Sequence, residues 1–375
     1  MLMDLSSEIY HALLPVFLTI TLGLPAVALG AVDGVAEGTA NLAKLASGRL
    51  SDRTGRRKLW VAVGYGLAAL SKPLFPLAGS WTAVLTARFA DRIGKGIRGA
   101  PRDAIIADET PPEIRGRAFG LRQSLDTVGA LLAPLAAIGL MLLFNDDIRS
   151  VFWIAVIPAA LSFLLVLFAL KEPEQRAAPS SQGMMAAFRD LDRHTRRLVA
   201  IGFLFALARF SEGFLVLKGI EAGLSLAFAP LTLVLFNLVF MLFAYPAGAL
   251  SDRVAPQSIL AIGMALLVAG NVVLAKIPGF IGLGIGVALW GAHMALSQGV
   301  LSRMVADSAP AHLRATSFGA FFFASGLGTL LGSLAIGLIW DRDGSAAAFT
   351  AGAGVAAVTL VMLTLLPKRE GTAAA

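Results

Sequence analysis

The sequence predicts an all-α, polytopic membrane protein of twelve transmembrane helices, built as two six-helix halves. Three observations carry that prediction. Apolar residues make up 57% of the chain and charged ones only 15%, too little charge to cover the surface of a soluble protein of this size. Apolar runs of about 20 residues recur, the length that crosses a bilayer. A charged segment between two such runs, Gly48-Arg49-Leu50-Ser51-Asp52-Arg53-Thr54-Gly55-Arg56-Arg57-Lys58, returns in shortened form as Gly248-Ala249-Leu250-Ser251-Asp252-Arg253.

Taken in order, Ile9 to Ser47 holds two helices with a tight turn between Gly23 and Gly30, where Pro25 disfavours continuation of a helix. Apolar patterning then predicts helix 3 over Leu59–Leu77 and helix 4 over Trp81–Gly99. A polar loop follows, with Arg102, Asp103, Asp108, Glu109, Arg115 and Arg117. Helices 5 and 6 are expected over Ala118–Phe144 and Val151–Leu170. Lys171 to Arg197 reads as a linker. Its Met184, Met185, Phe188, Leu191 and Leu198 lie among arginines, which suits either a basic amphipathic helix on the membrane surface or a solvated connector. Helices 7 to 12 are expected over Leu198–Leu217, Ala227–Ala249, Ser258–Ala275, Gly279–Val300, Ala315–Trp340 and Ala346–Leu366. The division is thus 1–170, a 171–197 linker, and 198–375.

The net charge of +7 is an orientation signal, and no nucleic-acid partner is expected. Most Lys and Arg fall in loops on one side of the predicted spans, leaving Lys72, Arg149, Lys218, Lys276 and Arg342 for the other. That bias places both termini in the cytoplasm of a multi-pass inner-membrane protein. The stretch Met1 to Glu8 carries acids and no Lys or Arg, unlike a cleavable signal peptide. There are no cysteines, which excludes disulfides, thiolate catalysis and Cys-bound metals. No two histidines have metal-ligand spacing. Neither metal nor cofactor is expected.

The order Gly-x-Leu-Ser-Asp-Arg-x-Gly-Arg-Arg-Lys resembles the signature loop between helices 2 and 3 of the major facilitator superfamily. Further pairs keep register between the halves: Ala107-Asp108 with Ala306-Asp307, Arg115 with Arg314, and Phe119-Gly120 with Phe318-Gly319. The resemblance implies two six-helix halves with a site between them near mid-membrane. It also implies that Gly48, Asp52, Arg53, Gly55, Arg56, Arg57, Asp252 and Arg253 form a cytoplasmic gate. In that gate Asp52 would sit near Ala315, at the positive end of helix 11.

Ionisable groups inside spans mark where chemistry lies, because each is costly there. Helix 2 carries Asp33, Glu37, Asn41 and Lys44 on one face. That face lines either a cavity or a packed neighbour, and Asp33 or Glu37 is the proton acceptor in the first case. Helix 4 carries Arg88, Asp91, Arg92, Lys95 and Arg98. Here Asp91 is expected to pair with Arg88 and Lys95 at one-turn spacing. The resemblance implies that Arg88 serves proton coupling, although Asp91 and Arg92 replace the family's Gln-Gly pair. Arg122 with Asp126, and Arg209 with Glu212, form similar one-turn pairs. Asn237 stands where Glu37 stands in the first half. His293 is either a titratable group or a hydrogen-bonded core residue; His11, His194 and His312 read as interfacial or cytoplasmic. Helix 11 carries Gly319, Gly326, Gly328, Gly332 and Gly337, which allow close helix approach.

No Walker-type loop is present, so ATP is not the driver. No nucleophile–base constellation is visible, so an enzyme is not expected. The expected activity is proton-coupled secondary transport of a small organic solute by alternating access, as efflux in the style of bacterial drug/proton antiporters. The alternative is a proton symporter that takes up a metabolite. The expected partners are the solute, protons and the lipid bilayer, for a monomer.

Overall fold

The computed structural model describes residues 1–111, 115–171, 193–251, 254–308 and 314–364. These form twelve helical spans and, among the described residues, no strand. In the first half they are α1 (Leu2–Val16), α2 (Ala26–Thr54), α3 (Arg57–Ser71), α4 (Trp81–Glu109), α5 (Arg115–Leu143) and α6 (Ile148–Ala169). In the second they are α7 (Arg193–Ala208 and Gly213–Glu221), α8 (Leu231–Ser251), α9 (Pro256–Lys276), α10 (Gly279–Ser308), α11 (Arg314–Asp343) and α12 (Ser345–Thr364). A short π-helical turn, Phe17–Thr21, extends α1, and a four-residue helix, Leu74–Leu77, follows α3.

Two differences from the expected spans matter. α4 and α10 run on as helix to Glu109 and Ser308, so the polar segment after Gly99 is helical rather than looped. α7, expected as one rod, is broken between Ala208 and Gly213. A cluster of charged and small residues, Arg209-Phe210-Ser211-Glu212-Gly213, interrupts the apolar run there.

Seven helical stretches of the described chain are long and apolar enough to span a membrane, and all but Ile148–Ala169 lie in the second half. α1 and α3 fall short at 15 residues each, and charged residues interrupt the apolar runs of α2, α4 and α5. α6 turns Trp153, Ile157, Leu161, Leu165 and Phe168 outward, an apolar surface that suits lipid and not water.

The turn between α2 and α3 is only two residues long. Gly55 adopts φ +62°, the left-handed conformation that a helix C-terminus favours and only glycine takes without strain. Its N–H donates to the Ser51 carbonyl at 2.9 Å. Trp60 Nε1 then donates to Thr54 Oγ1 at 2.9 Å, tying the start of α3 to the end of α2.

α11 is sandwiched between α2 and α7 by its glycines. Gly328 and Gly332 face the backbone of α7 at Phe203 and Leu207. On the opposite face, Gly337 meets Val27, Ser333 meets Gly30, Leu330 meets Gly34 and Gly326 meets Gly38. A Cβ at Gly34 would stand 2.6 Å from the Leu330 Cα, too close to accommodate. At the top of this seam, the Asp341 carboxylate accepts the N–H groups of Ala26 and Val27 at 2.7 and 2.8 Å. Those are unpaired first-turn donors of α2, and a negative charge at a helix N-terminus is favourable. The seam seals one end of the interface between the halves. Past Gly38 the α2 face instead lines open space.

Replacing Gly30 by Val should wedge this seam at a cost of about 1–3 kcal/mol. The expected readout is a melting temperature several degrees lower in detergent. Faster thiol labelling of a Val27→Cys probe should accompany it, since the chain has no other cysteine.

Candidate functional site

Between the halves lies a cavity of about 370 Å³, walled by α1, α2, α4, α7, α10 and α11. It shares Glu37, Asn41, Glu212, Met294 and Gln298 with a second cavity of about 550 Å³. This second space is lined by Lys44, Lys95, Arg102, Asp103 and Arg122. It lies toward the end of the bundle that holds the N-terminus and the α2–α3 turn. The two adjoin through these shared residues and together make up a chamber, with the Asp341 seam toward its other end.

α4 is positioned for this by small residues on two faces. Gly94 packs on Gly64 and Ala68 of α3, and Gly96 on Ala40 and Lys44 of α2. Its charges are thereby forced into the interior. Asp91 is 1% exposed and takes its main partner from a place the sequence reading assigned to the outer face. The Lys72 ammonium, fully buried, reaches Asp91 Oδ1 at 2.8 Å and Ser7 Oγ at 2.9 Å. It also sits 4.9 Å over the Tyr10 ring, whose hydroxyl donates to the Phe152 and Lys72 carbonyls. The other Asp91 oxygen lies 3.4 Å from Arg92. So Asp91 pairs with Lys72 and Arg92, not with Arg88 and Lys95. The one-turn spacing was available, but a buried partner that leaves no ammonium exposed to lipid wins.

Arg88, 2% exposed, points at α2 and α1. Its Nη2 lies 3.3 Å from Asp33 Oδ1 and 3.0 Å from His11 Nδ1. His11 therefore lines the cavity and is not interfacial. The second Asp33 oxygen accepts from Ser211 Oγ at 2.5 Å, a bond from one half of the protein to the other. Ser211 occupies the α7 break, and its freed N–H donates to Ser333 Oγ at 2.9 Å.

Glu37 stands one turn further along α2, with 49% of its side chain open to the chamber and Arg92 at 3.6 Å. Asn41 and Lys44 continue the same face along the chamber wall. Asp126 pairs with Arg122 at 3.3 Å and Arg102 at 3.7 Å at the open end. Asn237 crosses from α8 to donate to the Ala130 carbonyl of α5.

In the second half, Arg209 and Glu212 line the deep cavity but form no ion pair with each other. The break in α7 removes the helical register that a one-turn pair needs. His293 is buried on α10, with Nδ1 2.9 Å from the Gly263 carbonyl and Phe205 stacked against its ring. Lys218, also assigned to the outer face by sequence, is buried against Glu221 and Ser345 at 2.7 and 2.9 Å. Elsewhere the second half has an aromatic core of Phe210, Phe214, Trp290, Trp340 and Phe349.

Of the gate motif, Gly48 packs against Ala100, Gly55 makes the turn, Arg56 precedes α3, and Arg57 is buried and partnered. The side chains of Asp52 and Arg53, and all of Asp252 and Arg253, lie outside the described residues. So does the expected contact of Asp52 with the start of α11 near Ala315. The amphipathic segment around Met184 to Leu191 lies outside them too.

The family model described as Major Facilitator Superfamily matches residues 1–333 and 198–375. The chain belongs to the major facilitator superfamily. It is 29% identical over 345 residues to an MFS-type transporter of Methanocaldococcus jannaschii, covering 90% of this chain and 85% of that one. A multidrug resistance protein of Escherichia coli, MdtL, is 27% identical over 139 residues, 37% of this chain and 35% of that protein. The crystal structure of the nucleoside transporter NupG superposes with a TM-score of 0.81 at 14% identity, covering 97% of this chain and 96% of that one. The all-α, twelve-helix fold is that of this family of multi-pass membrane transporters, whose members move small molecules.

Among the site residues, Asp91 gives the clearest energetic test. Asp91→Asn leaves the Lys72 ammonium buried without a carboxylate and should cost about 3–5 kcal/mol. Melting temperature and yield in detergent should both fall. Adding Lys72→Met should recover most of the loss, because no ammonium is then left unpaired and Arg92 keeps Glu37.

Proposed function

We propose that this protein is a proton-coupled secondary active transporter that exports a small organic solute in exchange for protons by alternating access. Glu37 is the proton-carrying acid, and it carries the proposal. Its carboxylate lies within a membrane span, half open to the chamber, and leans on Arg92. Asp33 is buried and held by Arg88 and Ser211, so its carboxylate oxygens are already committed to partners. Around Glu37 stand Arg88, Arg92, Lys95 and Lys44, with Glu212 and His11 across the same space. Protonating Glu37 leaves Arg92 to Asp91 alone and adds one positive charge to a low-dielectric interior. A cationic group of the solute that binds near Glu37 therefore competes with the proton.

Residues 1–170 and 198–375 act as the two rocking halves, with 171–197 as their linker. The termini and the open end of the chamber face the cytoplasm of an inner-membrane monomer. Opening the sealed end requires breaking the Asp33–Ser211 and Asp341 contacts, each a charge-assisted bond of about 1.5–3 kcal/mol. The relation to a protein named for multidrug resistance supports export.

The test uses proteoliposomes loaded with a pH-sensitive dye and a panel of organic solutes. At least one solute should shift lumenal pH only when the protein is present, with saturable kinetics. Glu37→Gln should abolish that shift by tenfold or more while solute-for-solute exchange persists. Proton flux undiminished in Glu37→Gln, or no solute-linked pH change across the panel, would overturn the reading. The sign of the pH change separates antiport from symport.

For the gate, Asp52→Asn should lower turnover several-fold with unchanged membrane insertion. Normal transport rates in that variant would contradict a latch at this loop.

A further inference from the structure

In the deep cavity most charges neutralise one another. Arg88 faces Asp33 at 3.3 Å and Arg92 faces Glu37 at 3.6 Å. Three polar groups remain uncommitted. Among the described residues, the Arg209 guanidinium has only the Met294 thioether, at 2.7 Å from its Nη1. Glu212 has no side-chain hydrogen bond or ion pair among the described residues. His293 is 1% exposed and directs Nδ1 at the Gly263 carbonyl. That leaves its Nε2 buried with no partner among the described residues. With Nδ1 as the donor, neutral imidazole offers Nε2 as an acceptor.

All three groups belong to the second half and line the same space. One is a cation, one a carboxylate and one a neutral acceptor. The wall between them is aromatic, from Phe205, Phe210, Phe321 and Phe322. An uncommitted charge inside a membrane span is costly, and a ligand of one charge would satisfy one group while leaving its opposite bare. A ligand with both charges satisfies both and adds no net charge to the cavity.

We propose that this pocket is the subsite for a zwitterion with a bulky apolar side chain, of the amino-acid class. Its anionic group pairs with Arg209, its ammonium with Glu212, and a further N–H donates to His293 Nε2. The side chain lies on the phenylalanine wall. A cavity of about 370 Å³ is at the small end of the range for ligand sites and suits a solute of that size. The inference rests on the transporter reading above and names the substrate class for it.

The test is calorimetric titration of the purified protein in detergent with three probes: L-phenylalanine, phenethylamine, which lacks the carboxylate, and 3-phenylpropionate, which lacks the amine. L-phenylalanine should bind at least tenfold more tightly than either analogue. Arg209→Gln should erase its advantage over phenethylamine, and Glu212→Gln its advantage over 3-phenylpropionate. Each variant keeps the analogue that matches its remaining charge, which shows that it is folded. Equal affinity of wild-type protein for L-phenylalanine and either analogue, or no binding of any probe, would overturn the proposal. Zwitterion binding without solute-linked proton flux would leave this subsite standing and remove the proton coupling. Proton-linked flux of a singly charged solute without L-phenylalanine binding would do the reverse.

Discussion

The first half of this transporter is arranged around the cost of placing ions away from water. α4 brings Arg88, Asp91 and Arg92 into a membrane span, each at most 2% exposed. None of them can face lipid. Each is met by a group of opposite charge from another element: Lys72 from the end of α3, Asp33 and Glu37 from α2. This requirement fixes how α2, α3 and α4 sit against one another, and the small residues Gly64, Gly94 and Gly96 let them come close enough. The same pairing leaves Glu37 at the rim of the network, where the chamber begins.

Electrostatics and sterics then divide the interface between the halves into two parts. From Ala26 to Gly38, α2 lies against α11 through small residues and the Asp341 carboxylate. From Asn41 onward, the same helix borders open space. A single helix thus belongs to a seal along one part of its length and to a chamber along another. Asp33 lies within the sealed stretch, on the face that also lines the deep cavity, and is bonded to both halves.

The twelve spans and the duplicated halves could be read from apolar run length and the repeated Ser-Asp-Arg motif. The face of α2 from Asp33 to Lys44 followed from helical spacing alone. Lys72 and Lys218 did not: a lysine at the end of an apolar run looks like an interfacial anchor, and only the tertiary fold shows it turned inward. His11 was misplaced for the same reason. The break in α7 left a trace, the polar cluster from Arg209 to Glu212, but in sequence those residues mimic a helical ion pair. Pairing of Asp91 failed because intrahelical spacing competes with partners that no local pattern reveals.

The two halves differ in how they would carry mechanical load. The first is cross-braced by ions at its centre, from Lys72 through Asp91 and Arg92 to Glu37. Both halves contain aromatic clusters, but in the second half one span is jointed between Ala208 and Gly213. A stiff block working against a jointed one need not swing symmetrically. The elbow of α7 carries Ser211, which is bonded to Asp33 of the first half, so any bending there would act directly on the contact between the halves.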